Sequence, residues 1–248
     1  MRTSDPGGTT AGRCPSSLNR MSWLQVQAHL ERDSRLLVPV GALSQHGPHL
    51  PLGANTLIAD RVAAAVSIRL NILKAPPLNY GVLAPTKARY PGESGLRRKT
   101  LHRMVNELLA GWEDRGVRRF YLITSYRYDA HMDALLMALT SGAETEVVNL
   151  YAVPLDDLVE SSPVREHGGE LETSLLLHLQ PDTVMLSNAP AASEVGRKYP
   201  GRGMPTPPAG SLGVVGRPDS GSASKGARIF ERYVDAVCTA VQDTPSDG

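Results

Sequence analysis

Cysteine is almost absent from this chain, which has two cysteines among its 248 residues. Because Cys14 and Cys238 lie near opposite ends of the sequence, we expect neither a disulfide framework nor a cysteine-based zinc site. Low cysteine content is typical of proteins in a reducing compartment, and we predict a cytoplasmic location.

Long apolar runs are also missing, and neither sign of charge is in excess. No run approaches the roughly 18 to 20 apolar residues that a membrane span needs, and the first twenty residues lack the apolar stretch of a signal peptide. Lys and Arg total 26 against 25 for Asp and Glu. The charge balance therefore gives no reason to expect nucleic acid or a membrane as a partner.

Periodicity is absent from residues 1–20, which are mostly small, polar or helix-breaking. This composition predicts a disordered N-terminal tail. The remaining residues, 21–243, are enough for one fair-sized domain with a buried core. We therefore predict a single folded domain over 21–243.

Apolar runs and helical spacing alternate along that domain. Short apolar runs predict strands at 35–40, 75–78, 119–125 and 146–153. Apolar residues at helical spacing predict helices at 22–32, 56–70, 96–115, 129–141, 170–179 and 223–242. This alternation indicates an α/β fold whose sheet is mainly parallel and covered by helices on both faces. The functional residues of such folds usually lie in the loops that follow the strands.

Two histidines, His46 and His49, lie in the first of these loops. Imidazole is the commonest metal ligand and the usual acid or base at neutral pH. Pro48 and Pro51 restrict the loop and would hold the two side chains still. Spacing alone leaves a second interpretation open, in which the histidines only cap backbone groups of the loop.

The segment 39–41 followed by 45–52 resembles the signature of the creatininase family. More of that family's pattern follows in the correct order, at Tyr80-Gly81, Tyr90-Pro91-Gly92, 120–129, 167–174 and 213–226. The resemblance covers about residues 22–242. It implies a single three-layer αβα domain, cleavage of C–N bonds in amides or peptides, and assembly into a homo-oligomer, commonly a hexamer.

Several of the family's metal-site residues are replaced in this chain. Ser44 stands where the family has a glutamate ligand, and Asn55 stands where it has a bridging aspartate. Tyr126 replaces a histidine ligand, and a Glu-His pair has become Thr86-Lys87. Two divalent ions need anionic ligands, which a hydroxyl and an amide do not supply. We therefore expect no metal cofactor, with one weakly held divalent ion through His46 as the alternative.

Four residues of the family's site are retained, namely His46, His49, His167 and Glu172, and we predict that His46, His167 and Glu172 are catalytic. The family's counterpart of His167 shuttles a proton, so the resemblance implies an acid/base role for it, with Glu172 orienting the ring or acting as a second acid or base. The predicted substrate-binding residues are the polar side chains around them: Ser44, His49, Asn55, Arg89, Tyr126, Arg127 and Tyr128.

The favoured function is a metal-independent enzyme acting on a C–N bond of a small molecule. It would carry out cyclisation, elimination or amide cleavage, because intramolecular reactions depend more on positioning than on an activated water. Two alternatives remain. One is a non-catalytic subunit that binds a ligand or a partner, and the other is a metal-dependent amidohydrolase with an unusual ligand set.

Overall fold

A parallel sheet of four strands lies at the centre of the protein. The computed structural model describes residues 16–85, 90–160, 166–193 and 207–243. Within them the strand order is β2-β1-β3-β4, and every pairing is parallel. The strands are β1 (Arg35–Val40), β2 (Leu73–Lys74), β3 (Arg119–Thr124) and β4 (Glu144–Asn149). The predicted α/β class with a mainly parallel sheet is confirmed.

Helices cover both faces of the sheet and form the outer two of three layers. They are α1 (Trp23–Leu30), α2 (Ala54–Leu70), α3 (Arg98–Glu113), α4 (Asp129–Leu136), α5 (Glu170–Leu179) and α6 (Ala223–Asp243). The α2, α5 and α6 helices share one apolar core with the sheet, while α1, α3 and α4 share the other. In the described part of the chain, no helix is long and apolar enough to cross a membrane.

The side chains of the central strands alternate between the two cores. In β3, Phe120 and Leu122 pack against α3 and α4, whereas Tyr121 and Ile123 pack against α2 and α6. All four are fully buried, as expected for a strand that is covered on both faces. An uninterrupted apolar run is therefore the correct sequence signal for this strand.

The second strand lies slightly earlier than predicted. We expected it at 75–78, but β2 is Leu73–Lys74, and Leu78 forms only an isolated parallel bridge with Val40. Pro76 and Pro77 separate the two points of pairing. Because proline has no backbone N–H, these residues cannot continue the hydrogen-bond ladder.

The predicted disordered tail over 1–20 is wrong for its last part, and residues 1–15 lie outside the described residues. From Ser16 onward the chain is held against the edge of the sheet, where the Lys74 N–H donates to the Ser16 carbonyl over 2.8 Å. Leu18 packs against the α1 and α3 core. The open edge of β2 offers backbone groups that this segment satisfies, and a composition argument does not detect that.

A buried histidine on α4 joins two of the loops that follow the strands. His131 Nδ1 accepts from the Val82 N–H over 3.3 Å, and its Nε2 lies 3.3 Å from the Thr124 hydroxyl oxygen. The ring also meets the edge of the Tyr126 ring, at 5.2 Å between centroids. An Nδ1 that accepts must be unprotonated, and burial lowers the pKa of His131 to about 4. His131 is therefore neutral and ties the loop after β2 to the end of β3.

The ordered segment before α1 predicts a measurable stability difference between two truncated chains. A chain that begins at Met21 should be about 2 kcal/mol less stable than one that begins at Cys14. It loses the Ser16–Lys74 bond, the bond from the Ser16 N–H to Ser67 Oγ and the packing of Leu18. Urea denaturation measures the difference, and coincident unfolding curves would contradict it.

The neutral state of His131 predicts a pH dependence of stability. Its pKa is lower in the folded chain than the usual 6.5, so the unfolded chain takes up the proton first as pH falls. The stabilisation is complete above about pH 6.5 and is lost toward pH 4. His131→Gln keeps one donor and one acceptor without titrating. Between pH 7 and pH 5 the variant should lose about 2 kcal/mol less than the parent chain, and equal losses in urea titrations would refute this account.

Candidate functional site

A cluster of buried polar side chains lies at the carboxyl end of the sheet. The loop after β1, the first turn of α2, and the segment that enters α5 supply its members. These are Ser44, His46, His49, Asn55, His167 and Glu172, and each is at most 4% exposed. The predicted location of the site, in loops that follow the strands, agrees with this arrangement.

Two imidazole rings face one carboxylate in this cluster. His46 Nδ1 lies 2.9 Å from the Ser44 carbonyl, and His167 Nε2 lies 2.6 Å from the Gln45 carbonyl. A carbonyl only accepts hydrogen bonds, so these two ring nitrogens carry the protons. The opposite nitrogens face Glu172: His46 Nε2 is 3.4 Å from Oε1, and His167 Nδ1 is 4.0 Å from Oε2. Neither of these contacts has hydrogen-bond geometry.

The Glu172 carboxylate is oriented by two further donors. The Tyr151 hydroxyl donates to Oε1 over 2.7 Å, and the Gly168 N–H donates to Oε2 over 2.5 Å. Gly168 has φ +65°, and a Cβ there would lie 2.6 Å from the His46 carbonyl oxygen. Only glycine therefore fits this position. Both carboxylate oxygens are held with their remaining lone pairs available to the cluster.

Charge in the cluster is distributed unevenly. Burial alone would raise the pKa of Glu172, but the attraction of His46 and His167 and the bond from Tyr151 bring it well below its usual range. For His46, the Glu172 charge outweighs burial and raises the pKa. For His167, burial and the neighbouring His46 lower the pKa to about 4. Glu172 is therefore ionised, and His167 is neutral at neutral pH.

The other polar residues of the cluster bind one another or a neighbouring side chain. The Asn55 amide donates to Ser44 Oγ over 3.1 Å, and His49 Nε2 lies 3.1 Å from the Thr173 hydroxyl oxygen. Asn55 Oδ1 and His49 Nδ1 are buried and have no hydrogen-bond partner among the described residues. Ser44, His49 and Asn55 thus lie where the sequence predicted, and their binding of substrate stays a prediction.

The other predicted binding residues lie around the cluster rather than in it. The Tyr126 hydroxyl accepts from the Ala84 N–H over 3.1 Å, and its burial raises the pKa of the phenol strongly. Arg127 is half-buried and lies 5.1 Å from the centre of the Tyr151 ring. Tyr128 precedes α4 and packs against the α3 and α4 core. Arg89 lies outside the described residues.

Two residues that position the site were missed. The Gln45 side chain donates to the Gly213 carbonyl and accepts from the Gly47 N–H, each over 2.8 Å, which fixes the carbonyl that holds His167. Gln45 lies inside the recognised motif, so the motif could have indicated it. Tyr151 follows a strand without any local signal, and only its tertiary contact with the carboxylate identifies it.

The cluster has the properties of a site for one divalent metal ion. His46, His167 and Glu172 each offer one ligand atom, and these atoms lie within 4.8 Å of one another. His46 Nε2 and His167 Nδ1 are buried without a hydrogen-bond partner in the described ranges. A histidine that binds metal donates its other N–H to a carbonyl or carboxylate, and both rings do so here. Two imidazoles and one carboxylate form a ligand set of hydrolytic zinc sites, which keep a further position for water.

Comparison with known proteins agrees with this geometry. The family model for creatininase (creatinine amidohydrolase) matches residues 19–241. A creatinine amidohydrolase from Pseudomonas putida is 27% identical over 253 residues, covering 91% of this chain and 96% of that protein. A mycofactocin precursor peptide peptidase from Mycobacterium ulcerans is 30% identical over 216 residues, which cover 81% of this chain and 81% of that protein.

The expectation of no metal cofactor is wrong. A structure of a creatininase variant described as zinc–zinc type superimposes with a TM-score of 0.77 and 25% identity, covering 93% of this chain and 99% of that one. The cluster of His46, His167 and Glu172, which could hold a metal ion, also argues against the absence of a metal. The replaced ligands gave no indication that His46 and His167 both direct a ring nitrogen toward the Glu172 carboxylate.

The match to the family model extends over most of the chain, and the motifs follow one another in the family's order. The family model covers the loop after β1, both retained histidines and the start of α5, so it includes the whole cluster. The resemblance inferred from the motifs is confirmed, and the chain belongs to the creatininase family.

Proposed function

We propose that this protein is a metal-dependent hydrolase that cleaves a C–N bond of a small molecule or short peptide. Similarity to an amidohydrolase and to a peptidase supports a hydrolase of C–N bonds. The observation that carries the metal dependence is the set of two imidazole lone pairs and one carboxylate within 4.8 Å. A non-catalytic subunit would have no need to keep those lone pairs buried without a partner.

The three ligands in this proposal are His46 Nε2, His167 Nδ1 and the Glu172 carboxylate. A bound divalent ion would polarise the substrate carbonyl and lower the pKa of a water molecule. The carbonyls of Ser44 and Gln45 accept from the far nitrogen of each ring, so the neutral form of each imidazole has its unprotonated nitrogen toward Glu172, and a cation would displace any second proton from His46. The chain thus supplies a preformed site that needs no rotation of either ring.

Charge favours one ion over two. One carboxylate leaves a single divalent ion with one net positive charge, and a second ion would add two more. The neutral Ser44 hydroxyl and Asn55 amide cannot replace the carboxylates that offset such charge. The cluster therefore suits a mononuclear centre, in which the unpartnered Asn55 Oδ1 is a neutral oxygen next to the ligands.

The reaction adds water across the C–N bond. The hydroxyl joins the carbonyl carbon, the C–N bond breaks, and the nitrogen leaves with the proton as an amine. A nitrogen that binds a metal cannot also transfer a proton, so His167 acts here as a ligand rather than as the acid or base. His49 is the remaining imidazole of the cluster, and its buried Nδ1 has no partner in the part of the chain that the structure describes. We assign proton transfer to His49.

Metal binding provides the first test. His46→Ala, His167→Ala and Glu172→Gln should each weaken zinc binding by roughly 100-fold or more, because each removes one of three protein ligands. Competition with a zinc-binding dye measures the affinity, and thermal unfolding with and without zinc gives a second readout, since a ligand of the folded state raises the melting temperature.

The matched control is His178→Ala, which removes an exposed histidine at the end of α5 and should leave zinc affinity unchanged. Hydrolysis of a panel that includes creatinine and short peptides should stop in EDTA and return with zinc or manganese. Full zinc affinity in both histidine variants of the cluster, or hydrolysis by protein shown to be metal-free, would refute the proposal.

A further inference from the structure

Tyr151 belongs to the site but not to the family pattern. None of the segments that resemble the creatininase family contains it, since the nearest are 120–129 and 167–174. It lies instead in a short 3₁₀ turn, Leu150–Ala152, directly after β4. The loop that follows the edge strand therefore also contributes to the candidate site. Glu172 is the one carboxylate left among the family's ligand positions, so the groups that hold it matter more here than in a site with several.

The chain fixes the position of this tyrosine through its backbone and its ring. The Asn149 side chain caps the 3₁₀ turn and accepts from the Tyr151 N–H over 3.0 Å. Leu150, between these two residues, is fully buried in the core that α2, α5 and α6 share with the sheet. The guanidinium carbon of Arg127 lies 5.1 Å from the centre of the Tyr151 ring, which is a cation–π contact. These contacts together leave the Tyr151 hydroxyl little freedom to move.

The hydroxyl binds the carboxylate oxygen that is best placed to be a metal ligand. Ligand atoms about 2.0 to 2.1 Å from a tetrahedral zinc ion lie roughly 3.3 to 3.4 Å from one another. Glu172 Oε1 and His46 Nε2 are 3.4 Å apart, whereas Glu172 Oε2 and His167 Nδ1 are 4.0 Å apart. Oε1 is therefore already at ligand spacing from one imidazole. The Tyr151 hydroxyl donates to that same oxygen over 2.7 Å.

Tyr151 stays a hydrogen-bond donor at neutral pH. Burial and the charge of Glu172 raise the pKa of the phenol well above its usual value, and Arg127 opposes only part of that rise. The Gly168 N–H holds the second oxygen of the carboxylate. With one donor on each oxygen, the carboxylate is fixed in its orientation, as the ligands of metal sites generally are by their outer-shell partners.

We propose that Tyr151 is a positioning residue that holds Glu172 Oε1 as the ligand atom for the ion, and that the affinity of the site depends on its hydroxyl. The inference rests on the proposed metal-dependent function and extends it to a residue outside the ligand set. Tyr151 acts through Glu172 and contacts neither the ion nor the substrate. Without the hydroxyl, only the Gly168 N–H holds the carboxylate, and Oε1 is free to turn away from His46.

Tyr151→Phe tests the inference, because it removes the hydroxyl and keeps the ring. It should weaken zinc binding by about 10- to 100-fold, the usual cost of losing an outer-shell partner. Competition with a zinc-binding dye at neutral pH measures the affinity, on samples whose fold is checked by circular dichroism. The visible absorption spectrum of the cobalt-loaded protein gives a second readout. Its bands report the geometry of the ligands, so they should differ between Tyr151→Phe and the parent chain.

The matched control is Tyr121→Phe, which removes a different buried hydroxyl, one that donates to the Val241 carbonyl over 3.3 Å. This variant should lose stability in urea but keep the zinc affinity and the cobalt spectrum of the parent chain. Parent-like affinity and spectrum in Tyr151→Phe would overturn the inference. So would an equal loss of affinity in both variants, since the effect would then follow from lost stability. A parent chain that binds no zinc would refute the metal-dependent function itself, and the inference with it.

Discussion

The Glu172 carboxylate is buried at the junction of the first loop and α5, and the arrangement of the site follows from the need to compensate its charge. An isolated carboxylate in such a place would cost several kcal/mol. The Gly168 N–H, the Tyr151 hydroxyl and two imidazoles lie around the carboxylate and compensate its charge. Glu172 also lies in the first turn of α5, where the helix dipole favours a negative charge. In their neutral forms the two imidazoles turn unprotonated nitrogens toward Glu172, and a bound cation would complete the compensation there.

The layered fold supplies the rigid frame for this arrangement. Val40 and Thr124 are fully buried and end the two central strands, so the loops that follow them start from fixed points. The Gln45 carbonyl then accepts from His167 across 122 positions of sequence. Val215 exchanges two backbone bonds of 2.8 Å with His167 and holds the segment from the other side. The ligand geometry is thus set by backbone contacts, which tolerate side-chain changes elsewhere in the site.

The fold and the retained residues were predictable, because both leave local signals. Apolar runs marked β1 and β3, and the motif around His46 led to the family. The cluster of potential metal ligands was not predictable by the same route. Ser44, Asn55 and Tyr126 show what was lost, whereas the tautomers that prepare the remaining nitrogens depend on contacts between distant loops. The polar replacements also make bonds of their own: the Asn55 amide donates to Ser44, and the Tyr126 hydroxyl accepts from the Ala84 N–H. Homo-oligomeric assembly and the absence of nucleic-acid and membrane partners stay predictions.

Anomalous X-ray scattering from crystals grown with zinc tests the central claim most directly. Data collected on both sides of the zinc absorption edge locate the ion without any assumption about the reaction. The account predicts a single anomalous peak about 2.0 to 2.2 Å from His46 Nε2, His167 Nδ1 and a Glu172 oxygen. A peak elsewhere, or an empty cluster with a proton shared between His46 and Glu172, would contradict it.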